Sequence, residues 1–116
     1  MSNAQNDLRI DYIEFPAIDA TAARRFYEQA FDWKFTSYGP TYQAFEDGRL
    51  GGGLQANDSA KPKAPLVVLY AVKLEAARDK IKTSGGIITQ DIYSFPGGRR
   101  FHFSDPSGNE LAVWSE

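Results

Sequence analysis

The 116-residue sequence predicts an α+β fold of two βαβββ modules forming a curved mixed sheet, a cup with the helices on its convex face. Three observations predict it. The order strand, helix, three short strands occurs twice. A polar, proline-bearing stretch over residues 57–65 separates the two occurrences. The last two strands of each are joined by a glycine-containing turn, Asp47-Gly48 in the first and Asp105-Pro106-Ser107-Gly108-Asn109 in the second. An internal duplication with little surviving identity is the economical account of this repeat.

The elements follow in order. Residues 8–15 alternate and are rich in β-branched and aromatic types, so they read as a strand that Pro16 closes. Asp19 or Thr21 offers the short side-chain oxygen that caps a helix. Over 22–31, Ala23, Phe26, Tyr27, Ala30 and Phe31 recur at helical spacing on one face. Strands are expected over 33–38 and 41–46, and Gly51-Gly52-Gly53-Leu54-Gln55 is a short fourth strand weakened by its glycines. In the second module 66–72 is a strongly apolar strand, and 74–84 a helix ending at Gly85-Gly86, which suit a left-handed cap. Strands then cover 87–93, 99–104 and 110–114, with Pro96-Gly97-Gly98 as a turn. The reading is one domain over 8–116, with modules at about 8–56 and 66–115 and a disordered N-terminus over 1–7.

Hydrophobic residues at 42% and charged residues at 24% are ordinary for a globular chain. A net charge of −2 gives no basic excess for a phosphate backbone, so no nucleic-acid partner is expected. The absence of cysteine removes disulfides and thiolate chemistry. No apolar run spans a bilayer and the first residues lack a signal-peptide core, so no membrane partner and a cytoplasmic location are expected. Aromatics reach 14%, which suits either a ring-built core or a pocket for a flat ligand.

Asp19, followed by Ala22-Ala23-Arg24-Arg25-Phe26-Tyr27 and Ala30-Phe31-Asp32-Trp33, resembles the opening pattern of the glyoxalase/bleomycin-resistance/dioxygenase (vicinal oxygen chelate) superfamily. Leu74-Glu75-Ala76-Ala77 and Gly85-Gly86 resemble the helix and loop that open its second module, and residues 105–109 its terminal turn. The resemblance runs over nearly the whole chain and implies the fold above. It implies less about chemistry, because the superfamily hosts isomerases, dioxygenases, epimerases and resistance proteins.

Metal-dependent members hold one divalent ion through His, Glu or Gln on the first and last strands of the modules. The family's spacing puts those positions at Tyr12, Leu66 and Ala112, and the fourth strand offers at best Gln55. Leucine and alanine have no donor atom, tyrosine suits divalent ions poorly, and a catalytic ion needs about three firm ligands. The resemblance therefore implies a member lacking the usual metal ligands, with no metal and no cofactor expected.

Strand parity supplies the remaining candidates. With Tyr12 on the concave side, Ile10 and Glu14 share it, while Ile13 and Phe15 pack under the helix. Ala112 takes Glu110 and Trp114 to the same side and leaves Leu111 and Val113 inside. Phe101 and Phe103 belong to the core, which gives Arg100 and His102 to the cup beside Leu66, Val68 and Tyr70. Tyr12, Glu14, Arg100, His102 and Trp114 are thus the candidate ligand-binding residues, and Glu14 and His102 the candidate catalytic acid and base. The plainer account is a structural ion pair with His102 exposed or hydrogen-bonded, and Arg99 and Arg100 as rim charges.

Functions of different classes fit. The reading taken forward is a metal-independent protein binding a small molecule in an aromatic-lined cup. The alternative is an isomerase, lyase or dioxygenase-type enzyme using Glu14 and His102, or an unrecognised metal site; a regulatory or scaffolding subunit is a third. A homodimer is expected because two short modules bury limited surface. Pairing of modules within a chain and swapping between chains both stay open.

Overall fold

The structure, a computed structural model, describes residues 4–56 and 64–116. Most of the expected linker, 57–63, lies outside the described residues, as do the first three. By its contacts the chain divides into two compact units, one from Tyr12 to Leu66, the other of the residues up to Asp11 and from Val67 to Glu116. The division cuts the first strand. The fold is α+β, and two βαβββ modules follow one another as predicted.

The first module comprises β1 (Arg9–Pro16), α1 (Ala20–Phe31), β2 (Lys34–Ser37), β3 (Tyr42–Glu46) and β4 (Gly51–Gln55). Its strands lie in the order β2-β3-β4-β1, antiparallel except that β1 runs parallel to β4. Asp19 is the helix cap: its Oδ1 accepts the Ala22 N–H at 3.1 Å, and the helix starts at Ala20, two residues before the predicted start. Asp32 closes the helix in the left-handed region at φ 60°, a conformation that aspartate tolerates.

Rings join α1 to its sheet. Tyr27 stacks on Phe15 at 6.2 Å and on Trp33 at 4.7 Å, and Trp33 stacks on Phe45 at 4.5 Å. Phe15 therefore lies under the helix, as parity predicts. Phe26 does not share Tyr27's anchoring role. It is 56% exposed and Phe31 is 58% exposed, so the apolar face read from the helix is wider than the face the sheet covers. On the same helix Arg24 Nη1 donates to Gln43 Oε1 at 2.8 Å; Gln43 donates to Gly39 O and Ser37 Oγ, which satisfies this buried amide.

The second module comprises β5 (Leu66–Tyr70), α2 (Leu74–Thr83), β6 (Ile87–Phe95), β7 (Gly98–Ser104) and β8 (Glu110–Ser115). Its order, β5-β8-β7-β6 with β5 parallel to β8, repeats the first module's pattern strand for strand. The core gathers Ala71, Leu74, Phe101 and Val113, with Ile81 and Phe103 packed against it. The α2 end is built as read from Gly85-Gly86. Gly85, at φ 104°, donates to Lys82 O, and Gly86 donates to Ile81 O at 2.9 Å, which satisfies the last carbonyls.

One expectation changes. Within the stretch expected to be disordered, Ala4–Asn6 form a 3-10 turn, and Asp7 bridges to Tyr70. Asp7 Oδ1 accepts the Val72 N–H at 2.7 Å and Leu8 N donates to Tyr70 O, so one side-chain and one backbone bond hold this segment against β5 and the residues after it. Asn109 closes the terminal turn onto Asp105. Its Nδ2 and N–H both donate to Asp105, while Gly108 supplies the positive φ. Those donors, the Asn109 side chain first, hold the Asp105 carboxyl below the usual carboxylate range.

Candidate functional site

The sequence-derived candidates fall into two groups, one in each unit. Tyr12 and Glu14 belong to the first, and Arg100, His102 and Trp114 to the second.

In the first unit, β1 presents Tyr12 and Glu14 two residues apart, and β3 presents Tyr42 to both. The Tyr12 and Tyr42 hydroxyls share a hydrogen bond, and Tyr42 Oη donates to Glu14 Oε2 at 3.0 Å. Gly53 of β4 makes room for this. Glu14 is in register with Gly53, and a Cβ on Gly53 would stand 1.9 Å from Tyr42 Oη. Burial, then the charge of Glu14 beside it, pushes the Tyr42 phenol far above the ordinary tyrosine value. Tyr42 was not among the sequence candidates. Its signal was the triple glycine, which marks a close approach without saying by what.

In the second unit a polar chain runs across three strands. Arg100 Nε donates to Tyr93 Oη at 2.6 Å, Tyr93 Oη lies 3.0 Å from His102 Nε2, and His102 Nδ1 lies 3.1 Å from Glu110 Oε2. Ladder register explains it. Tyr93 on β6 sits opposite Arg100 on β7, and Ala112 on β8 sits opposite His102. The Arg100 guanidinium lies over the Tyr93 and Phe95 rings, 5.8 and 5.9 Å from their centroids. Phe95 is 6.3 Å from Trp114, whose Nε1 donates to Asp11 Oδ2 at 2.8 Å and whose ring meets Tyr70 edge-on. Arg99 departs from Arg100: it pairs with Glu75 of α2 at 2.6 Å, on the helix side of the sheet. Parity is as read, with Phe101 and Phe103 in the core and Arg100 and His102 opposite. In this unit Tyr93 and Glu110 are the functional candidates that the sequence missed.

The family's metal positions can be tested on their surroundings. Leu66 is 4% exposed and Ala112 is fully buried, both without a donor atom; the Tyr12 hydroxyl is engaged with Tyr42. Among the described residues no three His, Cys, Asp or Glu side chains gather as a metal site. This donor set does not fit a divalent ion. No helix among the described residues is long and apolar enough to cross a membrane.

Two βαβββ modules with a polar strand face in each define a class of small α+β domains, and the sequence identifies the class. The sequence model of the Glyoxalase/Bleomycin resistance protein/Dioxygenase superfamily matches residues 9–113, and the chain belongs to that superfamily. Solved structures agree on the fold. One titled NAD-dependent benzaldehyde dehydrogenase, from Legionella pneumophila, is 18% identical at a TM-score of 0.75, over 90% of this chain and 96% of that one. A superfamily member from Vibrio splendidus 12B01 is 10% identical at 0.71, over 94% and 99%. Methylmalonyl-CoA epimerase from Mycobacterium tuberculosis is 8% identical at 0.71, over 99% and 91%. No curated protein sequence matches the chain.

Proposed function

We propose that the chain is a metal-independent, small-molecule-binding member of its superfamily, with its ligand seated against Tyr93, Phe95, Arg100, His102 and Trp114. The observation that carries this is the Arg100 guanidinium lying over two rings, with Trp114 beside them, on a half-buried strand face. Aromatic walls with a few convergent polar groups suit a flat ligand bearing a polar substituent. Tyr12 and Glu14, tied to Tyr42, form a separate candidate ligand-facing group within the first unit.

Ligand-observed NMR against a panel of flat aromatic acids, phenols and neutral aromatics tests it. R100A and W114A are expected to weaken the best binder at least tenfold. A panel without a binder, or binders indifferent to both changes, overturns the reading. Metal independence has its own test: one equivalent of divalent ion surviving dialysis would contradict it.

A second reading, an isomerase or lyase using Glu14 or His102 as acid or base, draws support from the hydrogen bonds that already orient both groups. Turnover abolished by E14Q or H102Q with binding intact would favour it. A cytoplasmic homodimer completes the proposal. Light scattering during size exclusion is expected to give twice the 12.9 kDa chain mass, and a monomer would remove that part.

A further inference from the structure

We propose that Glu110, His102 and Tyr93 form a proton relay that takes the proton of an acidic phenol and holds that ligand as its anion. This rests on the small-molecule reading above and names the ligand class of the same site.

The direction of each hydrogen bond follows from the chemistry of its partners. A guanidinium only donates, so Tyr93 Oη accepts from Arg100 Nε at 2.6 Å. A carboxylate only accepts, so the His102 proton sits on Nδ1, facing Glu110 Oε2 at 3.1 Å. That leaves the Nε2 lone pair toward Tyr93 Oη at 3.0 Å, and the phenol donates to it. The Tyr93 oxygen has thus spent its proton on His102 and one lone pair on Arg100. Its other lone pair has no partner among the described residues, and it can accept from the O–H of a ligand.

The transfer balances without any further reagent. The ligand O–H bond breaks and a new O–H bond forms on Tyr93 Oη. The original Tyr93 O–H bond breaks and an N–H bond forms on His102 Nε2. The products are a ligand anion, a neutral tyrosine and an imidazolium held between Tyr93 and the Glu110 carboxylate. The groups around His102 act in both directions: Glu110 on β8 supplies negative charge to the imidazolium, while Arg100 on β7 opposes a second cation there but supplies positive charge to the ligand anion through Tyr93. Ala112 and Gln90, its ladder partners, carry no charge.

The acid must arrive protonated near neutrality yet yield to an imidazole that ordinarily titrates at about 6.5. Aliphatic alcohols are too weak and carboxylic acids have already ionised. A phenol on an electron-poor ring meets both conditions, and its ring can lie against Phe95 and Trp114.

The probe is 4-nitrophenol with the full chain, followed over about pH 6 to 8, where an imidazole changes charge. Phenolate absorbance reports the ligand proton. Nitrogen NMR reports His102 without ambiguity, because the chain has one histidine. Bound 4-nitrophenol is expected to ionise at lower pH than the free phenol, with His102 Nε2 gaining a proton in step. Y93F keeps the ring and is expected to uncouple the two signals and weaken phenolate binding at least tenfold. E110Q, a change at an exposed carboxylate, is the second variant should Y93F fail to fold, and is expected to reduce His102 protonation on binding. 4-Nitrophenol bound in its neutral form, or phenolate bound while His102 stays neutral, overturns the relay and leaves the binding reading standing. No binding of 4-nitrophenol overturns the ligand class, while the aromatic panel decides the binding reading separately.

Discussion

Tyr42 holds its place over β4 because Gly53 carries no side chain, whereas neighbouring Gly52 makes room for Phe45 and the Ile13 carbonyl. The nearest atoms to a Cβ on Gly53 would all belong to the Tyr42 side chain, with Oη at 1.9 Å. A Cβ on Gly52 would stand 2.2 Å from the Phe45 ring and 2.3 Å from the backbone oxygen of Ile13, which cannot swing away. Overpacking typically costs about 1–3 kcal/mol, and more where nothing can yield. G53A is therefore expected to fold with a loss of about 1–2 kcal/mol and a displaced Tyr42, and G52A to lose about 3 kcal/mol or more. Urea denaturation ranks them, and the reverse order would show that the backbone, not the ring, gives way. The sequence marked these glycines as a weak strand. It could not show Tyr42 over Gly53, because that depends on the β3–β4 register, which pairs Tyr42 with Gln55 and leaves its ring reaching diagonally to Gly53.

Element boundaries were legible where one side chain makes the boundary. Asp19 and Thr21 were both available as the α1 cap, and the structure uses Asp19. D19A is expected to cost about 1 kcal/mol, the usual value of a lost cap, and T21A less than half of that. Equal effects in thermal or urea unfolding would mean that the Asp19 bond contributes nothing. Register was the illegible part. Strand β6 shifts its pairing with β7 between Ile88 and Gln90 and again between Gln90 and Tyr93. Alternation alone places Arg100 and His102 on one face, but only those irregularities bring Tyr93 opposite Arg100 and within reach of His102. Parity survives a bulge on the neighbouring strand, whereas partner identity does not.

At the scale of the molecule, both units carry a tyrosine hydroxyl bonded to a carboxylate, Tyr42 to Glu14 and Tyr70 to Glu116. The strand-helix order that revealed the duplicated fold carries no trace of these pairs, since each joins distant positions. Their consequence appears at alkaline pH. The bond to Glu116, chiefly, pushes the Tyr70 phenol from its ordinary 10 up to about 12, and burial raises Tyr42 as well. Between those values the unfolded chain has lost phenolic protons that the folded chain retains, so stability falls as pH rises. The Tyr70 contribution is complete below pH 10 and is lost as pH passes through about 12. Urea midpoints are expected to fall steeply across that window, and Y70F to flatten the fall while lowering the midpoint at neutral pH. Y42F should flatten a further part, because its hydroxyl titrates separately in the other unit. A Y70F profile parallel to the parent above pH 10 would show that the Glu116 bond does not hold the phenol proton.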